Sequence, residues 1–300
     1  MLLSDWVDTV RKGVEDRARM KGREPSTALC YDSLKAHLRR FTSKSRYDKI
    51  CLKEIDLCFC EGFVLYLEQA PNLRIKNSEK ERKLAPGTRS KLFSMFETLL
   101  NKAVRSGLLK ENPCYRMDPT LRPERPAKER AYLSKEELRI LKETACKNDS
   151  VKKAFLFSCY CGLRWSDVVS LDWRNIRTDG ETWSITKRMV KTGEWVFLPL
   201  NESARSLMPR QMTAGPVFRL PTPAWANAVI REWVQAAGID KRITFHCARH
   251  SFATLLISQG ADIYTTSKLM GHKNLATTQI YARIVDERKV SAVRLLDGLG

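Results

Sequence analysis

The sequence lacks long apolar runs. None of the 300 residues falls in an apolar stretch of about eighteen, the length that a membrane-spanning helix needs. The first residues, MLLSDWVDTVRK, contain no apolar core of a signal peptide. The nine cysteines are odd in number, none has CxxC spacing, and most lie in apolar runs such as LCFC and FSCYCG. Because reduced buried thiols are typical of the cytoplasm, we expect a cytoplasmic protein with no membrane partner.

Motifs for cofactors and metals are also missing. The chain has no GxxxxGK[ST] phosphate loop, no GxGxxG and no GxSxG. His246 and His250 are four residues apart, as two ligands on one helix face can be. The zinc-protease pattern requires glutamate after the first histidine, but Cys247 and Ala248 follow it here. We therefore expect no metal and no cofactor.

Acidic residues are few beside the basic ones. The chain has 34 Asp and Glu against 53 Lys and Arg, a formal net charge of +19. Residues 1–150 carry +10 and residues 151–300 carry +9, so the excess does not lie in a tail. Two basic halves predict that the protein contacts a polyanion with both, and nucleic acid is the first candidate. A basic enzyme without a nucleic-acid role is the alternative.

The pattern of apolar residues predicts two domains. Residues 1 to about 112 have helical spacing, clearest in the stripe of Leu92, Phe96 and Leu100, and predict a bundle of four or five helices. Four prolines between residues 113 and 126 indicate a linker. We place a helical domain at 1–115, a linker at 116–130 and a second domain with a C-terminal tail at 131–300.

The second domain is predicted to be mixed. Ser134 and Glu137 form a capping box that begins a helix, and Gly162 separates a buried helix from another that starts at Ser166. Residues 183–200 alternate on both sides of a Lys191-Thr192-Gly193 turn, which predicts a β-hairpin. From Pro223 onward the segments are predicted to be helical, among them LATTQIYARIV and RKVSAVRLLDG, and four of the five end in glycine. The predicted fold class is mainly α with a small β-hairpin or sheet.

Six polar residues of the second domain together suit chemistry on a phosphodiester. They are Arg164, Lys191, His246, Arg249, His272 and Tyr281. Guanidinium groups bind phosphate oxygens in pairs and stabilise the charge that develops at phosphorus. An ammonium or imidazolium group can protonate a leaving alkoxide, and a phenol can attack phosphorus. Taken singly, each residue is explained better by a surface or packing role.

The order of these residues is more specific than their types. GLRWSDVVSL is followed by the hairpin, then by HCARHSFAT, and then by LMGHKNLATTQIYARI, with the tyrosine nine residues after the last histidine. Across about residues 130–285 this order resembles the tyrosine recombinase (phage integrase) family. The bundle before a proline-rich linker resembles that family's core-binding, SAM-like domain. The C-terminal part is similar to integrases of mobile elements in Bacteroides-type bacteria, without their arm-binding domain.

The resemblance implies a role for each matched residue. Tyr281 would be the nucleophile that forms a 3′-phosphotyrosyl bond, and Arg164 and Arg249 would bind the scissile phosphate. His246 would accept a proton or a hydrogen bond near the tyrosine, and His272 would hydrogen-bond the phosphate.

Two lysines of the hairpin match the position of the general acid. Lys191 would protonate the 5′-oxygen, with Lys187 as the alternative, because hairpins vary in length within the family. Asp167 matches an acidic position shortly after the first arginine, and it would either support that arginine or simply be a residue of the helix's first turn. His250 has no catalytic role in the family's pattern and would support the helix or hydrogen-bond its neighbours.

The resemblance also implies a reaction and partners. The protein would cut and rejoin duplex DNA at inverted-repeat core sites through a Holliday junction, as a homotetramer on DNA that is a monomer when free. Integration, excision, inversion and resolution all remain open, and a small integrase, resolvase or invertase fits the length. In the bundle, KAHLRR and GTRSKLF are candidates for base contacts, and are explained equally well as solvated helix faces. The tail segment VSAVRLL would pack on a neighbouring protomer or on its own domain. The rivals are a type IB topoisomerase and a DNA-binding regulator without catalysis.

Overall fold

A computed structural model describes residues 1–20, 22, 26–43, 47–73, 82–126, 130–272 and 274–281. The chain divides into two compact units, Met1–Lys128 and Glu129–Gly300. Each unit has its own hydrophobic core. The fold is mainly helical with a small antiparallel sheet, as the sequence predicted.

Four helices form the first unit. They are α1 (Leu3–Met20), α2 (Ser26–Thr42), α3 (Leu57–Gln69) and α4 (Pro86–Arg105). Asp56 caps α3 by accepting a hydrogen bond from the backbone of Phe59. The predicted stripe of α4 is buried, with Phe96, Leu99 and Leu100 fully enclosed. Burial of these large side chains against the other helices is what stabilises the bundle.

Two features of the first unit bear on the sequence predictions. His37, inside the KAHLRR segment, is 1% exposed and hydrogen-bonds Tyr66, while Lys35 pairs with Asp8 at 2.6 Å. Arg39 and Arg40 of that segment are exposed and take no part in these contacts. Part of the predicted linker is folded onto the bundle, because Arg122 donates a hydrogen bond to the carbonyl of Cys114 at 2.7 Å.

The helices of the second unit begin with a capping box. Ser134 and Glu137 exchange hydrogen bonds at the start of α5 (Lys135–Glu143), as predicted. The helices that follow are α6 (Asp149–Cys161), α7 (Trp165–Val169), α8 (Glu202–Ser206) and α9 (Pro223–Ala236). The prediction that Ser166 starts the helix after Gly162 was wrong, because Arg164 is the N-cap residue and α7 begins at Trp165.

A three-stranded antiparallel sheet lies between α7 and α8 in the chain. Its strands are β1 (Ile176–Asp179), β2 (Thr182–Arg188) and β3 (Trp195–Leu200), in that order across the sheet. The predicted hairpin corresponds to β2 and β3, with Ile185 opposite Leu198. Residues 185, 196 and 198 are buried on one face, while Trp195 and Phe197 point to the exposed face. The alternation that predicted the hairpin is therefore the alternation of burial.

The C-terminal part of the described chain contains two further helices. They are α10 (Phe245–Ser258) and α11 (Ile263–Leu269). The predicted helix over LATTQIY was wrong, because residues 275–277 and 279–281 form two short 3-10 turns instead. The predicted tail segment VSAVRLL lies outside the described residues. No helix in the described part of the chain is both long and apolar enough to span a membrane.

Candidate active site

Arg164 stands on a loop whose shape depends on glycine. Gly162 ends α6 with φ +72°, a left-handed conformation in which a side chain is disfavoured. A Cβ at Gly162 would also lie 2.5 Å from the ring of Phe252. Ser158 ties the same loop down by donating a hydrogen bond to the carbonyl of Leu163 at 2.7 Å. The loop delivers Arg164 to the N-cap of α7 in a fixed place.

Arg249 on α10 connects two loops. Its Nη1 donates to the carbonyl of Gly162 at 2.6 Å, and its Nη2 donates to the carbonyl of Met270 at 2.5 Å. The residue is 2% exposed, and burial, followed by the charge of Arg164, lowers the pKa of its guanidinium to about 9. One buried cation therefore binds the loop that carries Arg164 and the loop that precedes His272.

Asp167 on α7 lies behind Arg164. Its carboxylate is fully buried, its Oδ1 accepts a hydrogen bond from the backbone of Val190 at 2.8 Å, and its Oδ2 is 4.0 Å from Nη1 of Arg164. Neither Oδ2 nor that Nη1 has a hydrogen-bond partner among the described residues. Burial is the main cause that lowers the pKa of Arg164, and Asp167 opposes it. The carboxylate thus joins the arginine to the hairpin turn.

The two lysines of the hairpin face different surroundings. Lys187 is 4% exposed and donates to the carbonyl of Asp167 at 2.7 Å and to Oγ of Ser170 at 2.9 Å. Lys191 is exposed in the turn after β2, and its positive charge contributes to lowering the pKa of His246. Lys191 is therefore within electrostatic range of His246, whereas the ammonium of Lys187 is hydrogen-bonded to internal acceptors.

Two of the predicted histidines stand among positive charges. Desolvation, followed by Arg249 and other cations, lowers the pKa of His246 and brings the pKa of His272 to about 4. His272 is half-buried, and its Nδ1 is 2.8 Å from Oγ1 of Thr278. Both imidazoles are therefore neutral at pH 7, able to donate one hydrogen bond and accept another.

Tyr281 ends the second 3-10 turn and turns its ring inward. The residue is 6% exposed and packs with Phe252, Ile257 and Met270. Its hydroxyl is 2.6 Å from Nδ1 of His250, a contact the sequence analysis did not foresee. Burial raises the pKa of Tyr281 to about 12, although Arg249 acts to lower it.

Arg130 is a site residue that sequence reasoning missed. Its charge lowers the pKa values of His246, His250, His272 and Tyr281, so its guanidinium faces the same group of side chains. It comes three residues before Leu133, whose backbone N–H donates to Ser251 of α10 at 2.8 Å. The segment before α5 is thereby fixed against the helix that carries the histidines. No motif marked Arg130, because it lies among many basic residues of the predicted linker.

The assembled set is cationic and contains one buried carboxylate. All six predicted residues lie in the second unit, and Arg164, Lys191 and Arg249 each lower the pKa of His246. In the described residues, no three His, Cys, Asp or Glu side chains are grouped so that they could hold a metal ion. Guanidinium, ammonium and imidazole groups around a phenol can bind a phosphodiester and support attack on it.

Family models match both units of the chain. The phage integrase family model matches residues 131–288, and the phage integrase SAM-like domain model matches residues 6–117. A tyrosine recombinase of Pseudothermotoga lettingae is 25% identical over 276 residues, which cover 87% of this chain and 94% of that protein. A tyrosine recombinase XerD of Caulobacter vibrioides is 31% identical over 159 residues, covering 46% of this chain and 51% of that protein.

Solved structures share the fold. The XerH site-specific recombinase in a post-cleavage complex with a palindromic difH substrate superposes with a TM-score of 0.69 and 17% identity, covering 98% of this chain and 85% of that one. A lambda integrase(75–356) dimer bound to a COC′ core site has a TM-score of 0.67 and 17% identity, covering 94% and 95%. The likeness extends over both units of this chain.

Proposed function

The chain belongs to the phage integrase family, and from this premise we propose how it cuts DNA. It is a site-specific DNA recombinase, an enzyme that breaks and rejoins DNA strands. We infer that Tyr281 attacks a phosphorus atom of duplex DNA and becomes joined to the 3′ end. The observation that carries this inference is the position of the phenol, within electrostatic range of Arg249 and Arg130. Those charges would stabilise both the phenolate and the pentacoordinate phosphorus.

The two family arginines would bind the scissile phosphate. Arg164 has a buried Nη1 without a hydrogen-bond partner in the described chain, and an arriving phosphate oxygen would supply one. Arg249 donates one hydrogen bond to each of two carbonyls, and its remaining N–H groups would donate to the anion. His272, neutral and hydrogen-bonded to Thr278, would add a further donor.

Proton transfers would complete the step. As the bond between phosphorus and the Tyr281 oxygen forms, the phenolic proton would pass to His246, which is exposed beside the buried ring of His250 at a centroid distance of 4.8 Å. As the bond between phosphorus and the 5′-oxygen breaks, Lys191 would give that oxygen a proton. The reverse sequence, with a 5′-hydroxyl from another strand, would rejoin the DNA without loss of phosphodiester bond energy.

The assembly is part of the proposal. The lambda integrase structure is a dimer on a core site. We propose that this chain is a monomer when free, and that four copies act on two inverted-repeat sites through a Holliday junction, with the SAM-like unit as a second DNA-binding domain. A type IB topoisomerase would relax DNA as a monomer. The formation of a synaptic complex of two DNA sites and four protomers separates the two.

Trapping of the covalent adduct tests the nucleophile. The probe is a pool of nicked duplexes with a randomised core, from which the wild-type chain retains covalently bound members through denaturing washes. We expect Tyr281→Phe to abolish adducts with the selected duplex while its dissociation constant stays within about twofold. Tyr264→Phe is the matched control, because Tyr264 is 61% exposed on the same unit. Adducts that persist in Tyr281→Phe would rule out this nucleophile.

A further inference from the structure

His250 makes a contact that the proposed chemistry has not used. The last histidine of the HCARH segment has no assigned part in the reaction, yet its Nδ1 lies 2.6 Å from the hydroxyl oxygen of Tyr281. Both residues are 6% exposed, and their ring centroids are 5.9 Å apart. A hydrogen bond this short between two buried side chains fixes the position of the phenolic oxygen.

The direction of the hydrogen bond depends on the protonation states and on the tautomer of His250. Burial, followed by the charges of His246, Arg130 and other neighbours, lowers the pKa of His250 to about 3. The pKa of Tyr281 is raised to about 12. At neutral pH the imidazole therefore carries a single proton and the phenol keeps its own. In the tautomer that carries the imidazole proton at Nε2, the hydroxyl donates the hydrogen bond and Nδ1 accepts it.

This direction suits a nucleophile. A phenol whose O–H donates a hydrogen bond to His250 keeps its oxygen lone pairs free for an incoming phosphorus atom. An imidazole with so low a pKa is too weak a base to remove the proton by itself. The contact therefore orients the hydroxyl before the reaction, and the O–H turns from His250 to His246, the proposed proton acceptor, as the bond to phosphorus forms.

The backbone of the tyrosine is fixed by a second histidine. The N–H of Tyr281 donates to the carbonyl of Thr278 at 3.0 Å, and Oγ1 of Thr278 is 2.8 Å from Nδ1 of His272. Thr278 is fully buried. One histidine thus holds the turn that carries the tyrosine, and the other holds its hydroxyl.

We propose that His250 is a positioning residue for strand cleavage, which accepts the hydrogen bond of the Tyr281 hydroxyl and places the nucleophilic oxygen at the scissile phosphate. The inference rests on the proposed function in one respect, that Tyr281 is the nucleophile. It assigns a role in the reaction to a residue outside the six that match the family's pattern.

The kinetic test compares two substitutions in the full chain. His250→Leu removes the acceptor, and His250→Asn keeps an acceptor oxygen near the place of Nδ1. With the selected nicked duplex at saturating concentration, we expect His250→Leu to slow adduct formation about 10- to 100-fold, because a nucleophile displaced by about 1 Å loses on that order. His250→Asn should restore the rate to within about fivefold of wild type, and neither variant should change the dissociation constant.

The first unit offers a matched control. His37 is 1% exposed and its Nδ1 hydrogen-bonds the hydroxyl of Tyr66 at 3.2 Å, so it forms the same kind of buried pair away from the site. His37→Leu should leave the rate from the bound complex unchanged. If His250→Leu reacts as fast as wild type, or faster, or if His250→Asn is as slow as His250→Leu, the positioning role is overturned.

A second measurement needs no DNA and separates the two proposals. In the full chain labelled with 13C at tyrosine Cζ, the Tyr281 signal is assigned by its loss in Tyr281→Phe. We expect this signal to shift in His250→Leu and to return towards its wild-type position in His250→Asn. If the Tyr281 signal has the same chemical shift in both variants as in the wild type, the hydrogen bond between His250 and Tyr281 is disproved. Failure of Tyr281→Phe to abolish adducts would instead refute the proposed nucleophile and leave this spectroscopic result intact.

Discussion

Lys187 and Lys191 are four residues apart and have different chemical environments. The ammonium of Lys187 is buried against the carbonyl of Asp167 and the hydroxyl of Ser170. Its pKa is lowered mainly by burial. Lys191 lies at the exposed turn and acts on His246 through its charge. Of the two lysines that the sequence left open, the surroundings favour Lys191 as the proton donor and give Lys187 a structural part.

A sulfur substitution in the DNA tests this assignment. We expect Lys191→Ala to slow cleavage of ordinary DNA about 100-fold or more, the usual contribution of a general acid. A substrate with sulfur in place of the bridging 5′-oxygen should be cut by this variant at nearly the wild-type rate, since a thiolate leaves without a proton. The measurement is the rate of strand cleavage on both substrates.

Lys187→Met serves as the control for this experiment. Its loss removes two internal hydrogen bonds and should lower the stability of the second unit, and sulfur should not correct any loss of rate. If Lys191→Ala remains slow on the sulfur substrate, the lysine is not the acid.

Spacing along one helix or one motif is the signal from which the sequence can place two residues close together. His246 and Arg249 are three apart on α10, and both reach the cationic group of the second unit. The contact of His250 with Tyr281 joins residues 31 apart, and it depends on the path of the chain through α11 and the 3-10 turns. Arg130 depends on the anchoring of Leu133 to Ser251, which no local pattern encodes.

The turn between α6 and α7 positions Arg164, and its shape depends on Gly162. Its glycine combines a left-handed backbone, contact with Phe252 and a carbonyl that accepts from Arg249. A replacement with any side chain would disturb all three at once. The predicted break at Gly162 was confirmed as the C-cap of α6.

Substitution of Gly162 tests how much stability is lost through steric overlap and how much through the left-handed backbone. We expect Gly162→Ala to lower the free energy of unfolding by about 2–4 kcal/mol, from the left-handed backbone and the overpacking of Phe252 together. Gly180→Ala is the control, because Gly180 has φ +57° and a Cβ there would meet nothing within 4 Å, so the change should cost only about 1 kcal/mol. Urea unfolding followed by tryptophan fluorescence measures both, and equal losses would contradict the steric argument.

Short elements were the ones that sequence patterns could not predict. Strand β1 has four residues, of which only Ile176 is not exposed, so no alternation marks it, and its pairing with β2 creates it. The LATTQIY segment has helical spacing but forms 3-10 turns, in which Asn274 accepts a hydrogen bond from the backbone of Ala276. Longer elements such as α4 and the β2–β3 hairpin bury enough side chains for their pattern to be legible.

At the scale of the whole molecule, protonation of the site histidines changes the free energy of unfolding. The pKa of His250 is lowered to about 3 and that of His272 to about 4 in the folded chain. In the unfolded chain both would titrate near the ordinary value of about 6.5. Between these values the unfolded state binds more protons, so acid favours unfolding there.

Thermal unfolding against pH tests this coupling. We expect the midpoint of the second unit to fall as the pH drops from about 6.5 towards 4, and to change little between pH 7 and 8. His250→Asn should have a shallower fall, because one of the histidines with a lowered pKa no longer titrates. Tryptophan fluorescence is a suitable signal, since six of the seven tryptophans follow residue 150. A midpoint that rises on acidification would contradict the lowered pKa values.

Charge and proline content predicted two basic units, but they did not predict the contacts inside each unit. Net charges of +10 and +9 suit contacts with DNA phosphates along both units. The prolines of residues 116–126 indicate a linker, yet Arg122 pairs with Glu97 at 3.2 Å within the first unit. Composition does not reveal such a contact, because it depends on where α4 lies.

Arg249 donates hydrogen bonds to two backbone carbonyls, and these bonds affect how loss of activity in an Arg249 variant should be interpreted. A variant at this position would release the Gly162 and Met270 loops together, and with them the residues that flank each loop. Its lost turnover would mix damage to the scaffold with damage to the chemistry. Double-mutant cycles between Arg249 and either loop would show strong non-additivity, so its apparent catalytic contribution would overstate what the guanidinium does for the transition state.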